Sequence, residues 1–364
     1  MKIGILTYHR AHNYGAVLQS YALKIYLEQI GHNVTVVDYC PNYFNYGLFV
    51  WYKWFSLNPV KFFRKVRFQV KTFALQKGRY NAFSWFIDKY IMPEQVNLNT
   101  ENTNFDCFVF GSDQIWRKNG DKFDPIYWGD FKAAKNAKLV SYAASMGISS
   151  LTDVEKQKIR NWLQHFSNIW VRENSLKKLL SPLVDKKVDV VVDPTFLLSK
   201  DAWSSIAVSP KRKRPYVLVY QVIENSAAMA VAKVAAEELD ADIVEIASKI
   251  DSSKVSHEVV YDASPNEFVG WVENAAMVVT TSFHGTAFSI IYRKPFVSIK
   301  QNRPSDLRIE TLLESCGLID RFIDCNAWAW MPEYKDTPVP IFDSVVFSKK
   351  LLNSIFYNKE IHEF

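Results

Sequence analysis

The stretch VVTTSFHGTAFSIIYRKPFVSI, residues 278–299, reads as a short apolar run, a four-residue break, an apolar run of helical character and another short apolar run. That order is a strand, a turn, a helix and a strand, and two strands joined through a helix lie parallel in one sheet. In the break stands His284, one of seven histidines in the chain, where a buried strand gives way to a helix beginning near Gly285. A helix start offers unpaired backbone N–H groups and a positive dipole end, both suited to phosphate or carboxylate. An imidazole placed there can hydrogen-bond an anion and also deliver a proton near neutral pH.

The same alternation extends in both directions. Toward the N-terminus, KIGILTY (2–8), NVTVVDY (33–39), FDCFVFGS (105–112), KLVSYAAS (138–145), NIWVRE (168–173) and VDVVVDP (188–194) read as strands, with helices over 15–31, 153–166 and up to about residue 180. After the polar, basic VSPKRKRPY (208–216) the pattern restarts, with YVLVYQV, ADIVEIA, AMVVTT and PFVSI as strands and helices over 227–239, 265–274, 285–292 and 305–316. This predicts an α/β protein of two Rossmann-like parallel-sheet domains facing a cleft, over residues 1–210 and 211–343. An amphipathic stretch in 344–364 is expected to form a C-terminal helix packing back on the first domain.

Composition fits a folded chain of this size: 364 residues, 48% hydrophobic and 23% charged. No apolar stretch approaches the length of a membrane span, and Met1 leads straight into the first strand, so a cytoplasmic protein is expected. Cys40, Cys107, Cys316 and Cys325 show no metal-type spacing and are expected as free, buried thiols. The net charge of +6 is local. Residues 48–95 carry nine Lys/Arg against two acids, interleaved with fourteen aromatics. Such a segment is either a helical insertion packed on the sheet or a surface for anionic lipid headgroups at the inner face of the membrane or for a lipid-pyrophosphate-linked substrate. No nucleic-acid motif accompanies the charge.

In open parallel sheets, ligands bind where strands end and loops lead into helices. Besides His284, that rule selects Arg172, at the end of NIWVRE, whose guanidinium fork matches carboxylate or phosphate. A local ion pair with Glu173 or a helix cap is the competing role. Lys300, Arg303 and Arg308 follow the next strand and would gather phosphate charge. In the first half, Asn13, Tyr14 and Gly15 open a helix, and Asp113 and Gln114 lie just past a strand end. Asp113 is placed to orient or deprotonate a hydroxyl, or to cap a helix. His9 and His12 have no third ligand nearby in sequence, and no metal is expected.

Taken together and in order, YHRAHNYGAVLQSYAL, FDCFVFGSDQIW, SYAASMG, VRENS, VVDPTFLL and TTSFHGTAFSIIYRKPFVSI resemble the polysaccharide pyruvyl transferase family over about residues 1–320. The resemblance implies a fold similar to GT-B glycosyltransferases, phosphoenolpyruvate as donor and co-substrate with no further cofactor, and a sugar acceptor, free or lipid-pyrophosphate-linked, that receives a cyclic pyruvate ketal. The family's histidine falls on His284 and an arginine of its VRE-like motif on Arg172. The arginine that commonly stands two positions before the histidine is replaced by Ser282. Donor binding is then expected from Arg172, Ser282, His284, Gly285, Lys300 and Arg303. Acceptor contacts are expected from Asn13, Tyr14, Gly15, Asp113 and Gln114, and catalysis from His284, Arg172 and Asp113. A nucleotide-sugar glycosyltransferase and a non-catalytic sugar-binding protein of the same pathway are the alternatives that this sequence leaves open.

Overall fold

KIGIL has four of its five residues buried, which demands apolar cover on both faces and marks an interior parallel strand. In the computed structural model, which describes residues 1–41, 56–148, 150–250, 255–324 and 342–356, this strand is β1 (Lys2–Leu6). It pairs in parallel with β2 (Asn33–Val36) and β3 (Cys107–Phe110). With β4 (Lys138–Ala144), β5 (Phe166–Val171) and β6 (Val188–Val190) it forms a six-stranded sheet of order β2-β1-β3-β4-β5-β6.

The second half repeats the design. Here β7 (Tyr216–Gln221), β8 (Asp242–Ala247), β9 (Glu258–Val260), β10 (Met277–Thr280), β11 (Phe296–Ile299) and β12 (Phe322–Ile323) give a parallel sheet of order β12-β11-β10-β7-β8-β9. The sequence reading missed β9 and β12, because three and two residues are too few to show a period. Strand order reverses between β1 and β3 in one sheet and between β7 and β10 in the other. Loops leaving such a pair of strands run to opposite faces and open a crevice.

Ten α-helices cover the sheets among the described residues: α1 (Tyr14–Gln29), α2 (Pro59–Phe86), α3 (Asp153–Leu163), α4 (Asn174–Leu180), α5 (Lys200–Ser204), α6 (Ser226–Glu238), α7 (Pro265–Asn274), α8 (Phe283–Ile291), α9 (Asp306–Ser315) and α10 (Phe342–Phe356). α1 is buried along nearly its whole length, so it must be enclosed on all sides. It packs on the first sheet and also against α7 and α8 of the second half. Tyr14 makes that junction: its ring stacks on Phe268 at 4.5 Å, and its hydroxyl donates to the Ala263 carbonyl at 2.9 Å.

α2 bridges the halves as well. The buried Arg79 guanidinium donates to the carbonyls of Ala247 (2.6 Å) and Tyr261 (3.3 Å) on one side and of His12 (3.2 Å) on the other. The basic segment is therefore helical over 59–86 and packed at its C-terminal end, while residues 48–55 lie outside the described residues. α10 returns to the first sheet, where Ser348 Oγ accepts from the Val192 N–H at 3.1 Å and Lys138 Nζ donates to the Ile355 carbonyl at 3.3 Å. Cys107 and Cys316 are buried free thiols and Cys40 is an exposed one; Cys325 is outside the described residues.

Candidate active site

The two reversal points face one another across a cavity of about 320 Å³, within the range of small-molecule sites. The first half contributes Tyr8, Asn13, Asp113, Gln114 and Arg117, and the second contributes Thr281, Ser282, Phe283, His284, Gln301 and Arg308.

α8 begins two residues earlier than the sequence suggests, with Ser282 as its cap: Ser282 Oγ accepts from the Gly285 N–H at 3.4 Å. His284 thus sits in the first helical turn, largely buried but on the cavity wall. Its Nε2 lies 3.6 Å from Asp193 Oδ2 and has no hydrogen bond. The same carboxylate oxygen accepts from Arg172 Nη1 at 2.6 Å and from Ser112 Oγ at 3.0 Å. The other oxygen accepts from the Thr195 N–H at 3.0 Å and the Thr195 hydroxyl at 2.9 Å. His284 and Arg172, from different sheets, therefore meet at one atom.

Arg172 is 3% exposed and its Nε and Nη2 have no hydrogen-bond partner. Nη2 is 3.7 Å from Asp113 Oδ1, on the cavity wall. The guanidinium also lies 4.7 Å from the centre of the Phe283 ring. Arg308 approaches that ring too, at 5.9 Å, so two cations share one aromatic ring. Burial raises the Asp193 carboxyl, but His284, Arg172 and the Thr195 N–H outweigh it and hold the group well below the usual carboxylate range. Burial alone would lower Arg172; Asp193, Asp113 and Glu173 outweigh it and raise the guanidinium. Arg308 has no ion pair among the described residues, and burial together with Arg172 pushes it down to about 10.

Neighbouring turns are shaped to serve this arrangement. β4 bulges before Ala144, with Ala143 at φ +52°, a strained conformation for a non-glycine residue costing roughly 1–3 kcal/mol. The bulge sends Ser145 to the Asp113 carbonyl (N–H donor, 3.0 Å) and its hydroxyl to Glu173 (2.9 Å). Asp113 itself has φ +75°, and its Oδ1 accepts from the Gln114 N–H at 2.8 Å. It closes a turn and caps no helix.

Several expected contacts fall elsewhere. Arg172 pairs with Asp193 rather than Glu173 and reaches the cavity only through its neighbours. Lys300 places its ammonium 5.2 Å from the Phe322 ring and Arg303 is exposed, so neither lines the cavity; Arg308 does, because α9 turns that position inward. Gly285 is a packing glycine, since a Cβ there would stand 2.2 Å from Thr280 Oγ1, and its N–H is taken by Ser282. Tyr14 is consumed by the junction between the halves. Gly15 touches His284 rather than the cavity. Asn13 lines the cavity, although its Oδ1 also caps α1 by accepting from the Ala16 N–H at 3.2 Å. His9 bonds Asp38 at 2.9 Å while His12 stacks on Phe83, so the two rings are committed to separate partners.

The fold and the shared cavity define a GT-B-like protein, in which two Rossmann-like sheets present their carboxyl ends to one site. A sequence model of the polysaccharide pyruvyl transferase family matches residues 13–303, and the chain belongs to that family, a group of transferases in polysaccharide biosynthesis. Among solved structures, the UDP-GlcNAc 2-epimerase of Methanocaldococcus jannaschii has a TM-score of 0.50 and 11% identity, covering 98% of this chain and 100% of that one. The glycosyltransferase SnogD of Streptomyces nogalater has a TM-score of 0.42 and 13% identity, covering 97% and 95%. At such identities the likeness to the epimerase concerns the fold alone. No curated protein matches the chain significantly.

Proposed function

We propose that the protein transfers the pyruvyl group of phosphoenolpyruvate to two hydroxyls of one sugar, in a cell-surface polysaccharide or its lipid-linked precursor, forming a cyclic ketal and releasing phosphate. The observation that carries this reading is the convergence of His284 Nε2 and Arg172 Nη1 on Asp193 Oδ2, beside a cavity that Arg308 also lines. The donor has a carboxylate and a phosphate, and two arginines sharing one ring supply matching charge.

His284 delivers a proton to the methylene carbon of the donor, which becomes a methyl group and leaves a cationic centre on the adjoining carbon. One sugar hydroxyl attacks that centre and loses its proton to Asp113. The carbon–oxygen bond to phosphate then breaks, the electron pair leaving with the phosphate. A second hydroxyl attacks the regenerated centre and closes the ring, its proton leaving with the phosphate. Arg308 holds the donor anions at the cavity wall, the buried Arg172 adds positive charge behind it, and Asp193 orients His284 and Arg172 together. Asn13 and Gln114, which line the cavity, bind the acceptor.

The test is mass spectrometry of free and lipid-linked oligosaccharides incubated with the protein and phosphoenolpyruvate, with phosphate release measured alongside. Acceptor-dependent phosphate release and an added pyruvyl ketal are expected, and His284→Ala and Arg172→Ala should each lower turnover by roughly 10² or more. Thermal stabilisation by UDP- or GDP-sugars without any effect of phosphoenolpyruvate would instead make the protein a nucleotide-sugar enzyme.

A further inference from the structure

The N-terminal half of α2 is out of keeping with the rest of the surface. Among the described residues, thirteen large hydrophobic side chains are exposed, and six of them lie between Leu57 and Trp85. Phe63, Val70 and Phe73 follow a spacing of seven and three, which puts them on one face of the helix. The opposite face carries residues that pack on the body, Thr72, Arg79, Phe83 and Phe86. Phe63 is 70% exposed and Val70 65%, values unusual for side chains held on a regular, rigid helix.

Charge decides what would cover this face. Residues 59–86 contain seven Lys/Arg and not one Asp or Glu. Two copies of the chain meeting through α2 in a two-fold dimer would set these like charges against each other. An anionic bilayer answers both features at once: aromatic and branched side chains enter the headgroup boundary, while lysines and arginines on the flanks reach phosphate. No helix among the described residues is long and apolar enough to cross a membrane, so the contact would be lateral. We infer that the outer face of α2, from Val60 to Lys77, together with Leu57 just before the helix, is a docking surface for anionic lipid. The inference does not depend on the reaction proposed above.

Flotation of the full chain with vesicles tests it. Recovery with vesicles of phosphatidylcholine and phosphatidylglycerol should exceed recovery with phosphatidylcholine alone by at least about tenfold, and should fall as salt is raised. Phe63→Ser/Val70→Ser and, separately, Lys61→Gln/Arg64→Gln/Arg67→Gln should each reduce recovery about tenfold or more. These side chains are exposed, so thermal unfolding of both variants should match the parent, which separates lost docking from lost folding. Equal recovery on the two vesicle types would overturn the inference. So would unchanged recovery of either variant, or a dimer seen by light scattering that the Phe63→Ser/Val70→Ser variant abolishes in protein that does not float.

Discussion

A methyl group on Gly15 would stand 1.9 Å from His284 Nδ1. Gly15 opens α1 in the first half and His284 opens α8 in the second, so the imidazole is seated against bare backbone from the opposite sheet. The glycine in HNYGAVLQ is there for this close approach, not for a turn.

Gly15→Ala should therefore damage the site while leaving the helix itself content. Alanine favours a helix by about 1 kcal/mol over glycine, so α1 gains intrinsically. The ring of His284 must move, and overpacking of this kind costs about 1–3 kcal/mol. Turnover is expected to fall by about 10² with a modest drop in thermal stability, and Gly15→Ser should behave alike. Wild-type phosphate release from Gly15→Ala would mean that the His284 position is not critical.

Arg79 ties both halves through three carbonyls. Arg79→Leu keeps bulk but leaves the acceptors at His12, Ala247 and Tyr261 without this donor, a loss of about 2–4 kcal/mol for buried groups. The halves should lose cooperativity first. Urea unfolding is expected to broaden, with fluorescence and circular dichroism midpoints separating, where the parent shows coincident curves.

Both sheets were legible because parallel strands buried on two faces appear as uninterrupted apolar runs, as in CFVF and MVVT. The loops carrying His284, Arg172 and Asp113 followed from strand ends. Asp193 went unselected inside VVDPTFLL, since an aspartate before proline reads as a turn residue and nothing local reveals its partner 21 residues back. Among the basic residues after β11, charge alone could not rank Lys300, Arg303 and Arg308. A finer signal was present: Arg308 precedes Ile309 and stands four residues before Leu312, both buried, so it lies on the inward face of α9. Which side of that face met the cavity depended on packing between the halves, which no local pattern encodes.

Asp193→Asn tests the carboxylate where the two halves converge. The substitution strips the buried Arg172 of its counter-charge, and breaking such a pair costs about 3–5 kcal/mol. The pH dependence has a definite sign. The folded carboxyl is held below its ordinary value of 3.8, so its stabilisation is complete above that pH and is lost as pH falls through and below it. Glu173, which burial raises, acts in the opposite sense at higher pH. The difference in unfolding free energy between parent and Asp193→Asn should thus be flat near neutrality and shrink below about pH 4. A difference that stays constant down to pH 3 would show that Asp193 is not held ionised by the fold.

Arg308→Gln sets stability against binding. In the parent this guanidinium is half-buried, lacks an ion pair among the described residues and is opposed by Arg172, which shares the Phe283 ring with it. Removing a desolvated, repelled charge relieves the fold, so the ligand-free variant should be more stable than the parent, by about 1 kcal/mol. An anion that neutralises the pair loses half its support. The thermal shift produced by phosphoenolpyruvate should drop sharply, and KM for it should rise by about tenfold or more with kcat less affected, as for a group that binds donor without moving protons. Arg308→Lys should recover only part of the affinity, because an ammonium lacks the paired donors of the guanidinium fork. A variant that is destabilised yet binds phosphoenolpyruvate as the parent does would place Arg308 in the scaffold and leave the anion to Arg172 and the first turn of α8.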